Sequence, residues 1–158
     1  MLFVQLGDSY SESNTYDAVG NLLTEFNGTT INYDASDNPL NWYNGNTYTG
    51  LTWTMGRQLE SLTMETDTEN IGVSYTYDMS GMRSSKTVVY GATASCYHEY
   101  VYASGKLMRE TITTTSGDTT TTQVLDFVYG SGSTPLALVY TNGTAAPITY
   151  YYVKVKKE

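Results

Sequence analysis

Three features of the sequence predict an all-β chain, an extended, twisted antiparallel sheet built from successive β-hairpins. The first is composition. Tyr occurs 16 times and Phe only 3, and rings that keep a hydroxyl in solvent suit a pleated, half-buried surface. The second is alternation. Val73, Tyr75 and Tyr77 alternate with Ser74 and Thr76, Tyr100 and Tyr102 flank Val101, and Tyr150 and Tyr152 flank Tyr151, and a period of two is the strand period. The third is punctuation. Asn, Asp, Gly and Ser cluster between the alternating runs and reverse the chain about every 8 to 15 residues.

At 158 residues the chain has the size of one domain. Its net charge of −8 argues against duplex nucleic acid or an anionic membrane surface as the main partner, because both attract basic patches. The one cationic cluster, Lys154, Lys156 and Lys157, reads as a flexible, solvated chain end. Cys96 is the single cysteine, so no disulfide can form within the sequence, and the compartment stays open. The apolar start within residues 1–9 is too short for a signal sequence and lacks a basic flank. If the protein is exported, the signal is expected outside this sequence. No apolar stretch approaches membrane-spanning length.

One pattern recurs along the chain: an aromatic residue, often followed by Asp, then Gly, a polar residue and an aliphatic one. Its copies are Tyr16-Asp17-Ala18-Val19-Gly20-Asn21-Leu22, Tyr33-Asp34 to Asp37-Asn38-Pro39-Leu40, Trp53-Thr54-Met55-Gly56-Arg57-Gln58-Leu59, Tyr77-Asp78-Met79-Ser80-Gly81-Met82-Arg83, Tyr102-Ala103-Ser104-Gly105-Lys106-Leu107, and Tyr129-Gly130-Ser131-Gly132 to Pro135-Leu136. The leading aromatics stand 17, 20, 24, 25 and 27 residues apart, so the repeat carries variable loops. The aromatic is expected to end one strand and the aliphatic to start the next. Asp is expected to accept hydrogen bonds from backbone N–H groups of the turn, and Gly to supply positive φ. In the second copy Asp37 takes the glycine position, which a short polar side chain tolerates.

A second set of reversals lies between these turns. Asn27-Gly28, Asn44-Gly45 and Asn142-Gly143 are two-residue hairpin signals, and Ser116-Gly117-Asp118 tips a hairpin with threonine-rich arms. Tyr90-Gly91 turns the chain back toward Tyr97–Tyr102. The acidic segment Glu60–Asn70, weakly patterned, reads as a long loop.

Tyr-Asp-x-x-Gly-x-Leu at Tyr16–Leu22, its echo at Tyr77–Arg83, the segment Trp53–Leu59 and the run Asn27–Asp34 leading into Asn38-Pro39-Leu40 resemble the YD repeats of bacterial Rhs proteins. Related repeats occur in toxin-complex shell components and in teneurins. The likeness runs from about residue 7 to residue 153. It implies an open segment of a β-cocoon, a long sheet spiralling around a hollow. It also implies a secreted or cell-surface setting. The partners so implied are the remaining shell and a C-terminal toxin or other domain that the shell encloses. The family's self-cleavage motif, rich in Asp, Pro and Gly, has no counterpart here: after Ala145-Ala146-Pro147-Ile148 comes Tyr150-Tyr151-Tyr152-Val153 and then the lysine-rich end. The chain is therefore expected to be a fragment, a truncated gene product or a degenerate copy, without the parts that carry chemistry.

Few residues invite a chemical reading. His98, the single histidine, lies in Cys96-Tyr97-His98-Glu99-Tyr100, which alternates like a strand. Cys96 shares its face, so a Cys–His dyad is set against a packed thiol beside a half-exposed strand histidine. Four-ligand zinc sites need more Cys and His than these. Asp17, Asp34 and Asp78 occupy one repeat position, which fits turn acceptors better than a glycosidase pair. Glu65, Asp67 and Glu69 crowd together without EF-hand spacing. Neither a catalytic group, a cofactor nor a metal is expected. Trp42, Tyr43 and Tyr48, with intervening amides, form a candidate glycan platform, set against cross-strand packing. The expected role is a non-catalytic scaffold segment. Glycan or cell-envelope binding is the alternative and a hydrolase is the remote one. A short open array also predicts bare sheet edges and self-association through them.

Overall fold

The computed structural model describes residues 13–153. The lysine-rich tail at 154–158 and the apolar start at 1–9 lie outside the described residues. The described chain is all-β and antiparallel, as the composition and alternation predict. A small sheet contains β1 (Asn14–Tyr16), β2 (Leu23–Phe26) and β3 (Thr29–Thr30). A ten-stranded sheet follows. It holds β4 (Trp42–Tyr43), β5 (Thr47–Thr54), β6 (Gln58–Glu65), β7 (Asn70–Tyr77), β8 (Arg83–Tyr90), β9 (Ala94–Ala103), β10 (Lys106–Ser116), β11 (Thr119–Tyr129), β12 (Pro135–Asn142) and β13 (Ile148–Tyr151). Spatial order equals chain order, so each strand pairs with its neighbours in sequence. Among the described residues no helix is long and apolar enough to cross a membrane.

One segment, residues 31–41, joins the sheets, closed on itself by a bridge between Tyr33 and Pro39. Asn41 clamps Asn32, accepting from its backbone N–H at 2.7 Å and donating through Nδ2 to the Thr30 carbonyl at 2.7 Å. Leu51 then leaves the β5 ladder at a bulge and donates its N–H to the Leu40 carbonyl. Phe26 of the small sheet stacks on Trp42 of the large one, with ring centres 6.0 Å apart.

Register gives the large sheet two unlike faces, because residues paired across strands share a side. One face carries Leu62, Val73, Val88, Cys96 and Thr114 in one cross-strand row, and Tyr75, Lys86, His98, Ile112 and Gln123 in the next. The other carries hydroxyls: Ser61, Ser74 and Thr87 in one row, and Thr113 and Thr122 beside Tyr97. Arg109 and Asp126, paired across β10 and β11, form an exposed bidentate ion pair there. Among the described residues only Ile31, Leu51, Val88 and Ala137 are buried hydrophobics. A sheet with one apolar face ordinarily buries it under a second layer, and this sheet is a single layer.

The segment Glu60–Asn70 corrects the loop expected of it. Strand β6 runs to Glu65 and β7 starts at Asn70, leaving only a tight turn. The alternation is present, with Leu62 and Met64 on the face of Val73 and Ile71, but the surrounding acids mask it. The turn closes through Thr66, whose N–H donates to the Glu69 carbonyl while its hydroxyl accepts from Glu69 N–H at 3.1 Å. Two of the two-residue hairpin signals also open wider. Tyr43 pairs with Thr47 across Asn44–Asn46. After Asn142 the chain returns only at Ile148, because Pro147 has no N–H to extend the ladder. Asn27-Gly28 does make the expected tight turn, with φ of 47° and 79° and Phe26 paired to Thr29.

Candidate functional site

The repeat turns are of two kinds. In three copies the Asp at the second position organises the loop. Gly20 N–H donates to the Asp17 carbonyl at 2.9 Å, Asp37 N–H to the Asp34 carbonyl at 3.1 Å, and Gly81 N–H to the Asp78 carbonyl at 3.0 Å. Gly20, Asp37 and Gly81 all have positive φ, at 78°, 61° and 83°. The carboxylates collect the remaining donors. Asp17 accepts from the N–H groups of Asn21 and Leu22. Asp34 accepts from Ser36 N–H, Asn38 N–H and the Asn38 amide. Asp78 accepts from Ser80 N–H, the Ser80 hydroxyl and Met82 N–H. In two copies without Asp the reversal is a two-residue turn with consecutive positive φ, at Met55 and Gly56 and at Ser104 and Gly105. Such turns match strand twist and leave no spare donors for an acid to satisfy. In the sixth copy Gly132 does not adopt positive φ. Its carbonyl accepts from Lys106 Nζ at 2.7 Å.

Donors aimed at these carboxylates hold them below the ordinary acid range. The Asn21 N–H is the largest cause at Asp17, the Asn38 side-chain amide at Asp34 and the Ser80 hydroxyl at Asp78. A depressed folded-state value adds stability that is complete above the unfolded value near 3.8 and is lost as pH falls through the folded values. Urea midpoints should therefore drop as pH is lowered from about 5 to 2, and Asp78→Ala should flatten that dependence. Equal slopes for the variant and the natural chain would remove Asp78 from the account.

The repeat aromatics have a second role that spacing did not reveal. Four of the six reach back to the preceding repeat and donate to a backbone carbonyl near its aliphatic position, whereas Tyr16 and Tyr102 make no such bond among the described residues. Tyr33 donates to Leu23 at 2.7 Å, Tyr77 to Leu59 at 2.7 Å and Tyr129 to Leu107 at 2.9 Å. Trp53 makes the same connection with its indole N–H, to Pro39 at 2.7 Å. The bonds span 10, 14, 18 and 22 residues, so the variable loops do not disturb them. They form stitches between consecutive repeats, with a gap where Tyr102 makes none.

The platform residues do not share one surface. Trp42 pairs with Tyr48 on one face, and its ring is stacked on Phe26. Tyr43 points to the opposite side, as alternate strand residues must. Glu65 accepts from the Thr49 hydroxyl at 3.1 Å. No group of three His, Cys, Asp or Glu side chains able to hold a metal ion occurs among the described residues.

His98 is not isolated. Its Nε2 lies 3.3 Å from Cys96 Sγ and its Nδ1 lies 2.7 Å from Glu110 Oε1. His98 and Glu110 are diagonal neighbours across β9 and β10, with Ile112 opposite His98 and Tyr100 opposite Glu110. A bulge sets this register. From the Ser104-Gly105 turn, Ala103 pairs with Lys106 and Tyr102 with Leu107, and then Met108 is skipped so that Arg109 meets Val101. An unbulged ladder would put Glu110 opposite Glu99 on the hydroxyl face. The side chains of His98 and Glu110 are 17% and 19% exposed. Sequence reasoning paired Cys96 with His98 but missed Glu110.

No family model matches the chain, and no curated protein matches it.

Proposed function

We propose that the chain is a non-catalytic segment of a YD-repeat shell of the bacterial Rhs kind, which encloses or presents another domain in a secreted or cell-surface setting. The observation that carries this reading is a single ten-stranded layer in strict chain order, with an apolar face that has no covering layer among the described residues. A self-contained sandwich or barrel would cover that face or close its edges. The stitches support the same reading, since four of the repeats are each tied to the one before by a side-chain bond to its backbone.

Strand β13 is the barest edge. Ile148, Tyr150 and Tyr151 on it are all exposed, and it pairs only with β12. A shell segment should use that edge for a further strand. Light scattering on the purified chain should show a dimer or larger species that grows with concentration. Tyr150→Lys with Tyr151→Lys should shift it toward monomer. A natural chain that stays monomeric at every concentration would sink the proposal.

A further inference from the structure

We infer that Cys96, His98 and Glu110 form an activated-thiol site at which small disulfides modify the protein. Its two polar contacts, Cys96 to His98 and His98 to Glu110, are ordered as in a nucleophile, base and orienting acid. An ionised carboxylate only accepts, so Glu110 fixes the His98 hydrogen on Nδ1 and leaves the Nε2 lone pair facing the thiol. The Thr114 hydroxyl donates to Cys96 Sγ from the neighbouring strand, at 3.6 Å. Lys86 stands opposite His98 on the same face, the one cation paired to it in register. Tyr100 stacks on the imidazole with ring centres 6.2 Å apart and limits its rotation.

The substrate class follows from what surrounds the triad. One cavity lies against Gly130, Pro135, Leu136 and Tyr152, and another against Met55, Gln58, Tyr75 and Tyr77, with Tyr75 two strands from His98 in the same row. No triad residue lines either of these, and at the triad strands β9 and β10 offer no turn of converging N–H groups to stabilise an acyl intermediate. Disulfide exchange needs neither cavity nor turn. The Cys96 sulfur attacks one sulfur of a small disulfide, and its proton passes to His98 Nε2. The old S–S bond breaks, a mixed disulfide forms on Cys96, and the departing thiolate takes the proton from His98 to leave as a thiol. Cys96 is the single cysteine of this sequence, so no thiol within it resolves the product. The site therefore takes up a label and does not turn over.

The test uses hydroxyethyl disulfide, a neutral probe, on the whole chain at neutral pH, with the adduct counted by intact mass. The folded chain should react about tenfold faster than the same chain unfolded in urea. His98→Gln should lose about tenfold and Glu110→Gln about threefold, with circular dichroism unchanged. Added imidazole should restore rate to His98→Gln and leave the natural chain unaffected, which a purely structural role for His98 would not produce. If His98→Gln fails to fold, the Glu110→Gln rate decides. A folded natural chain that reacts no faster than the unfolded one, or variants with natural rates, would overturn the inference.

Discussion

A chain carrying Tyr33→Phe, Tyr77→Phe and Tyr129→Phe together should lose about 3 kcal/mol of unfolding free energy. Each substitution keeps the ring and deletes one hydrogen bond to a backbone carbonyl, and such a bond contributes roughly 1 kcal/mol net. The three sites lie in different repeats and share no partner, so their effects should add. Urea unfolding measures this directly, as a lower midpoint at unchanged slope. Tyr151→Phe is the control: that residue is 78% exposed and should shift stability by less than about 0.5 kcal/mol. If the triple variant melts with the natural chain, the stitches are incidental contacts and the repeat aromatics act through their rings alone.

The second large effect is expected at the sheet centre. Val88 is 6% exposed and pairs with Val73 on one side and Cys96 on the other. Val88→Asp places an unpaired carboxyl in that row and should cost about 4 kcal/mol, a large share of ordinary domain stability. Val101→Asp provides the contrast, because Val101 is 49% exposed and on the hydroxyl face. It should shift stability by no more than about 0.5 kcal/mol. Thermal melts of the two variants decide whether the faces differ as their exposure indicates. Equal losses would mean that the hydroxyl face is covered in solution.

Most of the architecture was readable because its signals are local. Asn27-Gly28 marks its turn by residue type, and Val73-Ser74-Tyr75-Thr76-Tyr77 marks its strand by alternation. The strand through Glu60–Glu65 leaves a weak signal because Leu62 and Met64 alternate among polar and acidic neighbours that dilute the pattern. The stitches were not readable, since the donor and acceptor are set by which strands lie side by side and their spacing changes from copy to copy. Glu110 was hidden for a sharper reason. Counting outward from the Ser104-Gly105 turn places it on the wrong face, and only the skipped residue at Met108 brings it to His98. Bulges of this kind have no dependable local signature, so a single extra residue decides what a strand presents.

The stitches also have a polarity. In all four, the later residue supplies the side-chain donor and the earlier one supplies the waiting carbonyl. A chain that emerges from its N-terminal end meets these acceptors in the order in which it was made, each already held in a finished hairpin when its partner arrives. Assembly can then proceed like a zip closed from one end, with no late step that must wait for the whole molecule.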